Sequence, residues 1–177
     1  MPCWHCGMLS LLPPPDPISS FMSKFITASL IALCAAATLT ACSNEAKDPH
    51  PDQRVTKRRA ACKEFTRTLE PMGLVARGRK DYNPREFNVS ALALQKVSSQ
   101  PWAYFTADSN YPPTHAKPEV WQKAAEFKDA QDQYLATVNQ LVKAAQGGDL
   151  EAIKPAVNDV EKSCKSCHKQ FRDDSGT

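Results

Sequence analysis

The feature that most restricts the fold is a helical repeat that runs through nearly the whole chain after residue 52. Apolar residues recur there at steps of three and four, which places them along one face of a helix. No stretch alternates with the period of a strand. Four such segments follow one another, joined by short turns and one longer connection at 101–117. This pattern predicts an all-α protein, an antiparallel four-helix bundle.

Residues that favour helix ends set the boundaries of the four segments. They run from about Gln53 to Arg77, from Asn83 to before Pro101, from Pro118-Glu119 to Gly147-Gly148, and from Asp149 onward. Two prolines lie inside the segments. Pro71 is expected to kink the first helix or to end it early, and Pro155 removes a hydrogen bond from the fourth.

The apolar stripe of the fourth segment leads directly into Cys164-Lys-Ser-Cys167-His168. Two thiols three residues apart lie on one helical face and can add to the two vinyl groups of a haem. Cys-x-x-Cys-His is the pattern of c-type haem attachment, and imidazole is a proximal iron ligand. The sequence therefore predicts one covalent haem c, held by Cys164 and Cys167, with His168 as the axial ligand of the iron.

Other interpretations of the cysteines are weaker. A thioredoxin-like redox pair needs a strand followed by a helix, a structural zinc site needs four ligands, and a disulfide within one helical turn is strained. Cys3-Trp-His-Cys6 resembles half a zinc site, but no second pair lies at a suitable distance. No strand pattern is found after residue 52, and no second closely spaced cysteine pair accompanies Cys164 and Cys167 there. Haem attachment is therefore the preferred interpretation.

With this motif at the end of the last of four helices, the chain resembles cytochrome c'. The resemblance covers about residues 54–172 and rests on four groups of residues. These are Arg58-Arg59-Ala-Ala; Gly78-Arg-Lys-Asp-Tyr82; Pro101-Trp-Ala-Tyr-Phe105 with Pro118-Glu-Val-Trp121; and Ala144-Ala-Gln-Gly-Gly-Asp149 leading to Ser163-Cys-Lys-Ser-Cys-His-Lys-Gln-Phe-Arg172.

The resemblance implies a five-coordinate haem iron whose distal side is open and lined by the first helix. It implies binding of nitric oxide and carbon monoxide, a role in handling nitric oxide or in electron transfer, and a homodimer formed through the first two helices. Arg58 falls where the family has an arginine that binds a haem propionate. Arg172 falls where an arginine lies over the proximal pocket.

Cys62 departs from the family pattern. The residue four positions after Arg58 faces the iron, and it is usually an apolar blocker, or a methionine ligand in low-spin relatives. A thiolate at Cys62 can ligate iron, whereas a neutral Cys62 behaves as a small, buried apolar residue. We favour the second interpretation. Met72 lies about 15 Å further along the helix and is assigned to the core, and His50 and His115 are expected to be loop bystanders.

The amino-terminal part of the chain resembles a bacterial lipoprotein leader. Residues 22–41 have a cationic start, an apolar run and small residues, and Leu39-Thr40-Ala41-Cys42 resembles a lipobox that implies lipid on Cys42. Residues 1–21 do not fit a signal peptide and are assigned to a non-native upstream extension. Residues 42–52 are expected to be a flexible tether, and residues 53–177 the cytochrome domain.

Charge and site chemistry exclude other classes of function. The net charge of +3 and the absence of aromatics among basic clusters argue against nucleic-acid binding. A peroxidase needs a distal acid–base group, and the first helix offers no histidine, so no enzymatic activity is predicted. The sequence predicts a periplasmic, lipid-anchored, monohaem cytochrome that binds nitric oxide and exchanges electrons with an unidentified redox partner. The alternative is a six-coordinate, low-spin electron carrier of the same fold.

Overall fold

The computed structural model describes residues 46–173. The α-helices there are α1 (Arg54–Ala76), α2 (Pro84–Ser98), α3 (Glu119–Gln122), α4 (Ala124–Gly147) and α5 (Leu150–Phe171), and a 3-10 helix spans Gln100–Tyr104. The four long helices form an antiparallel bundle in which α1 and α4 each pack against both α2 and α5. The prediction of an all-α four-helix bundle is confirmed. The extension, the signal peptide and Cys42 lie outside the described residues.

Side-chain caps start two of the long helices where the sequence placed them. Asn83 Oδ1 accepts hydrogen bonds from the backbone N–H groups of Arg85 (3.1 Å) and Glu86 (3.2 Å), ahead of a proline at the first helical position. Asp149 Oδ1 accepts from the N–H of Glu151 at 3.0 Å. These bonds satisfy amide groups that have no partner within a helix.

α1 continues past Pro71 to Ala76, so of the two expectations for this proline, a kink or an early end, the early end is excluded. Proline has no N–H to donate to the carbonyl four residues before it, which here belongs to Arg67. The Arg67 side chain is 79% exposed, so this carbonyl lies on a face where water can replace the missing donor. Gly78, at φ 67°, follows the helix as predicted.

The third predicted helix is interrupted, which corrects the expectation of one continuous segment from Pro118. The four-residue α3 ends at Gln122, Lys123 leaves the helical conformation with ψ 50°, and α4 starts at Ala124. Beside this break, a hydrogen bond joins α3 to the long connection. Trp121 Nε1 donates to the carbonyl of Thr106 at 2.8 Å. The apolar periodicity of the segment could not predict the break, since Trp121 lies beside the apolar stripe.

Part of the segment predicted as a tether packs on the domain. Asp48 is buried and its carboxylate accepts hydrogen bonds from the N–H groups of His50 and Thr56, both at 3.0 Å. Thr56 lies in the first turn of α1, whose own capping position, Gln53, has φ 49° and makes no side-chain cap. Asp48 therefore caps α1 from outside the helix.

The apolar core fills the bundle between its four long helices. The largest fully buried apolar side chains are Met72, Leu94, Leu141, Ile153, Val55, Val138, Val157 and Val160. Met72 is 1% exposed, so its assignment to the core is confirmed. Among residues 46–173, no helix has both the length and the apolar character needed to cross a membrane.

Candidate cofactor site

A cavity of about 450 Å³ opens between α1, α4, α5 and the long connection. Its volume falls in the usual range for cofactor and ligand pockets. All six candidate haem-binding residues line this one cavity: Arg58, Cys62, Cys164, Cys167, His168 and Arg172. The structure therefore brings together six residues that are separated by up to 114 positions in the chain.

One wall of the cavity is formed by the last turns of α5. Ile153, Val157 and Val160 are buried in the core, and the same helical face then presents Cys164 and Cys167 to the cavity. Both thiols are free. Burial raises the pKa of Cys164 to about 11 and also raises the pKa of Cys167. Two neutral thiols and an imidazole therefore share one face of α5.

The part of the cavity lining that α1 contributes carries Cys62. The residue is exposed, which differs from the buried side chain expected from sequence, because it faces the cavity. Protein atoms nevertheless surround the thiol closely enough that desolvation raises its pKa to about 11. The neutral thiol predominates at physiological pH, and it is a poor metal ligand compared with the thiolate.

Arg58 is buried, at 4% exposure, and it binds the long connection. Its Nη1 donates to the carbonyl of Tyr104 and to Ser109 Oγ, both at 3.2 Å, and its Nη2 donates to Thr114 Oγ1 at 2.6 Å and to the carbonyl of Ser109 at 3.5 Å. The guanidinium also lies 4.4 Å from the ring centre of Phe105. Both terminal nitrogens of Arg58 therefore bind the connection. The family motif predicted a bond to a haem propionate and did not predict these bonds.

The connection closes the cavity by pairing with the end of α5. Ala116 and Arg172 form an isolated antiparallel bridge, and the N–H of Asp173 donates to the carbonyl of His115 at 2.8 Å. His115 consequently lines the cavity and is partly buried, which corrects its description as an exposed bystander. His50 stacks on Tyr111 at 5.2 Å and is absent from the cavity lining.

Aromatic residues from α1, α4, α5 and the connection form much of the remaining wall. Phe65, Trp102, Phe105, Phe127, Tyr134 and Phe171 all line the cavity. Trp102 Nε1 and the Tyr134 hydroxyl are buried and have no hydrogen-bond partner within the described residues. Burial raises the pKa of Tyr134, with smaller contributions from Cys164 and then Cys62. No local motif identifies these two donors, because their positions depend on how α4 and the connection pack against α1.

The residues of the cavity fit a covalently attached haem. Apolar and aromatic walls suit a flat macrocycle, two adjacent thiols suit its vinyl groups, and the cationic side chains of Arg59, Lys63 and Arg172 on the cavity lining suit its propionates. The two unpartnered donors, Trp102 Nε1 and the Tyr134 hydroxyl, indicate that polar acceptors belong in the site, because buried donors are normally paired.

Comparison with known proteins gives the family directly. The family model described as Cytochrome C' matches residues 53–172. This chain belongs to the cytochrome c' family. Cytochrome c' of Alcaligenes xylosoxydans xylosoxydans is 31% identical over 122 residues, covering 69% of this chain and 94% of the relative. Cytochrome c' of Halomonas halodenitrificans is 31% identical over 130 residues, covering 69% of this chain and 97% of the relative.

Solved structures of cytochrome c' share this fold. A nitric oxide complex of a leucine-to-alanine variant from Alcaligenes xylosoxidans has a TM-score of 0.68 at 29% identity and covers 73% of this chain and 100% of that one. A carbon monoxide complex of a glycine variant of the same protein has a TM-score of 0.67 at 30% identity and covers 72% of this chain and 99% of that one. Members of the family carry one covalent haem c, and haem c is the cofactor of this chain.

Proposed function

We propose that this cytochrome c' is a periplasmic protein that binds nitric oxide reversibly at a five-coordinate haem iron and that can also transfer electrons. In this proposal Cys164 and Cys167 attach the haem and His168 is its axial ligand. When bound, the haem supplies an iron that takes a diatomic ligand and exchanges one electron. The protein positions this group, excludes water with its aromatic walls, and leaves the side facing α1 accessible.

One observation carries the proposal. One cavity is lined by Cys164, Cys167 and His168 on α5 and by Cys62 on α1. Cys62 stands at the position that sequence resemblance assigns to the distal residue. A neutral thiol does not compete effectively for iron, and Met72 is 1% exposed in the core and absent from the cavity lining. This arrangement supports a free coordination position on the α1 side.

The attachment residues can be tested with denatured protein. Thioether bonds are covalent, so wild-type protein denatured in detergent should keep its haem during electrophoresis. The double variant Cys164→Ala, Cys167→Ala should lose haem to acidified organic solvent, whereas the control Cys62→Ala should retain it. Extraction of haem from denatured wild-type protein would contradict covalent attachment at these residues.

The coordination state can be tested by absorption and resonance Raman spectroscopy of the ferric and ferrous protein. We expect high-spin spectra in both oxidation states, and nitric oxide should bind without displacing an internal distal ligand. A low-spin spectrum in the wild type would contradict the five-coordinate proposal.

A second candidate function is a six-coordinate, low-spin electron carrier. It is favoured by the presence of two possible ligands, Cys62 and His115, on the cavity lining. If the wild type is low-spin, the variants Cys62→Ala and His115→Ala identify the ligand, because only loss of the true sixth ligand converts the spectrum to high-spin. Met72→Ala serves as a control whose spectrum should not change.

The lipid anchor is a separate part of the proposal and rests on the lipobox sequence ending at Cys42. Acylation of this thiol should carry the cytochrome into the membrane fraction of periplasm-containing cell extracts. Cys42→Ser should release it into the periplasmic fraction while the haem spectrum stays the same. Mass spectrometry of the wild type that shows an unmodified Cys42 at the amino terminus would contradict the anchor.

A further inference from the structure

The cavity contains a hydrogen-bond donor that neither the haem attachment nor the proposed axial ligand uses. Tyr134 lies on α4, is 4% exposed and lines the cavity. Its hydroxyl has no partner within the part of the chain that the structure describes. A buried hydroxyl without an acceptor is unfavourable, so native proteins rarely keep one unless another group, water or a ligand completes the bond.

The surroundings of Tyr134 place it beside the α1 wall. Its ring lies 5.3 Å from that of Phe65, which follows Cys62 by three residues and shares its helical face. It lies 6.1 Å from the ring of Trp102. Tyr134 belongs to the apolar cluster that includes Phe65 and Cys164, whereas Phe127, Phe171 and Cys167 belong to a separate cluster.

The hydroxyl remains a donor under all ordinary conditions. Burial raises the pKa of Tyr134, and the nearby sulfur atoms of Cys164 and Cys62 raise it further. A neutral phenol has one O–H to donate, and a low-dielectric wall strengthens the bond that it makes.

We propose that the Tyr134 hydroxyl donates a hydrogen bond to the ligand bound on the α1 side of the cavity, and that it thereby selects ligands that carry partial negative charge over apolar ones. This inference rests on the proposed function. Nitric oxide, dioxygen and nitrite accept electron density from ferrous iron or carry charge themselves, whereas bound carbon monoxide is a weaker acceptor. The site should therefore favour nitric oxide over carbon monoxide by more than an entirely apolar cavity does.

The variant Tyr134→Phe tests this inference while keeping the aromatic packing with Phe65 and Trp102. Because the hydroxyl has no hydrogen bond to lose within residues 46–173, the variant should fold and retain haem. Tyr82→Phe is the matched control, since the Tyr82 hydroxyl donates to the carbonyl of Gly148 at 3.0 Å and is absent from the cavity lining.

The direct readout is the infrared stretching frequency of carbon monoxide on the ferrous protein. A donated hydrogen bond lowers the C–O frequency and makes it sensitive to exchange of H2O for D2O. We expect the wild type and Tyr82→Phe to show both effects, and Tyr134→Phe to show a higher frequency without the isotope shift. The ratio of nitric oxide affinity to carbon monoxide affinity should fall about threefold to tenfold in Tyr134→Phe, which corresponds to the loss of one hydrogen bond.

The outcomes separate the inference from the proposed function. If the wild type binds both gases but Tyr134→Phe leaves the frequency, the isotope shift and the affinity ratio unchanged, the hydrogen bond is overturned and the ligand site stands. If the wild type binds neither gas, both proposals are overturned.

Discussion

At the scale of single residues, Arg58 shows how one side chain fastens the long connection to the bundle. Its terminal nitrogens donate to acceptors at three positions between residues 104 and 114, and its charge lies over the ring of Phe105. Desolvation lowers the pKa of Arg58, but a guanidinium stays charged at any physiological pH. The hydrogen bonds of the connection compensate a charge that would otherwise be costly to bury.

Replacing Arg58 should therefore destabilise the protein strongly. We expect Arg58→Ala to lower the free energy of unfolding by about 2–4 kcal/mol, because it leaves several buried acceptors without a donor. Arg58→Lys should recover only part of the loss, since an ammonium group lacks the planar fork. Denaturant titration of the haem-loaded protein measures both.

Arg67→Ala is the matched control on the same helix, because among residues 46–173 this exposed arginine pairs with Glu64 alone, at 3.1 Å. The control should change the free energy of unfolding by less than about 0.5 kcal/mol. An Arg58→Ala variant that is as stable as the control would show that the connection does not depend on these bonds.

Residues of the site differ in how well the sequence predicts them. Cys164, Cys167 and His168 lie at positions i, i+3 and i+4 of one helix, so their shared helical face follows from the helix period alone. His115 and Tyr134 could not be assigned to the site, because their positions depend on the path of an aperiodic connection and on the packing of α4 against α1. Cys62 was placed on the correct wall, but its exposure to the cavity depends on space that only the folded bundle defines.

At the scale of secondary structure elements, the start of α1 depends on a residue outside the helix. Gln53 occupies the capping position with a left-handed backbone and no side-chain cap, and Asp48 supplies the acceptor for Thr56 instead. Burial opposes ionisation of Asp48, but the hydrogen bonds from the N–H groups of Thr56 and His50 outweigh it, so the pKa of Asp48 is lowered.

We expect Asp48→Ala to lower the Tm at neutral pH by a few degrees, as loss of a helix cap does in a domain of this size. A carboxylate with a lowered pKa stabilises the folded state above its unfolded pKa of about 4. This stabilisation is lost as the pH falls through the lower pKa of the folded state. The difference in Tm between wild type and variant should therefore shrink below about pH 4.

Two variants control this measurement. Asp48→Asn retains an acceptor oxygen, so it should lower the Tm less than Asp48→Ala does. The stabilisation that this acceptor supplies should depend little on pH, because an amide does not ionise. Asp52→Ala removes an exposed carboxylate that pairs with Arg54 at 3.2 Å and should have a smaller effect. Equal Tm values for Asp48→Ala and wild type at neutral pH would argue against an external cap.

Most element boundaries follow from local chemistry, whereas the exceptions depend on tertiary contacts. Asn83 and Asp149 cap their helices as predicted because each needs only its own following amides. The break at Lys123 was not predicted, and α1 passes through Pro71, where the sequence left open a kink or an early end. The first accompanies the bond between Trp121 and Thr106, and the second depends on which face of α1 water reaches.

At the scale of the whole molecule, α2 has an exposed apolar surface. Val89 is 62% exposed and Leu92 is 42% exposed, and residues three apart lie on one helical face. Such a surface is typical of an interface, and the resemblance to cytochrome c' implied a homodimer through the first two helices.

We expect the double variant Val89→Glu, Leu92→Glu to weaken self-association about tenfold or more, because charges replace apolar groups that burial would stabilise. Analytical ultracentrifugation over a range of concentrations measures the change. Ala136→Glu places one glutamate at an exposed position of α4 and should leave association unchanged. A wild type that is monomeric at all concentrations would contradict the dimer.

A second surface of the whole molecule lies beside the haem-attachment motif. Lys162, Lys165 and Lys169 are exposed on α5, and none of them forms an ion pair with another described residue. By contrast, Lys154 pairs with Glu151 at 2.6 Å and Lys123 with Glu126 at 3.6 Å. Lys165 and Lys169 are four residues apart and repel each other, although cations near a helix carboxyl end also interact favourably with its dipole.

This unpaired charge predicts association with an acidic redox partner close to the haem edge. Lys165→Glu, Lys169→Glu should slow reduction by such a partner about tenfold at low ionic strength, because electrostatic steering raises the association rate. The difference from wild type should disappear near 1 M salt, where the screening length falls to about 3 Å. Stopped-flow reduction by an acidic protein donor measures both dependences.

Lys96→Glu, Lys143→Glu changes the net charge equally at exposed positions of α2 and α4, so it separates local steering from total charge. If both double variants slow the reaction equally, or if the wild-type rate does not depend on salt, local steering by these lysines is contradicted. The lysines then only stabilise the carboxyl end of α5 through its dipole.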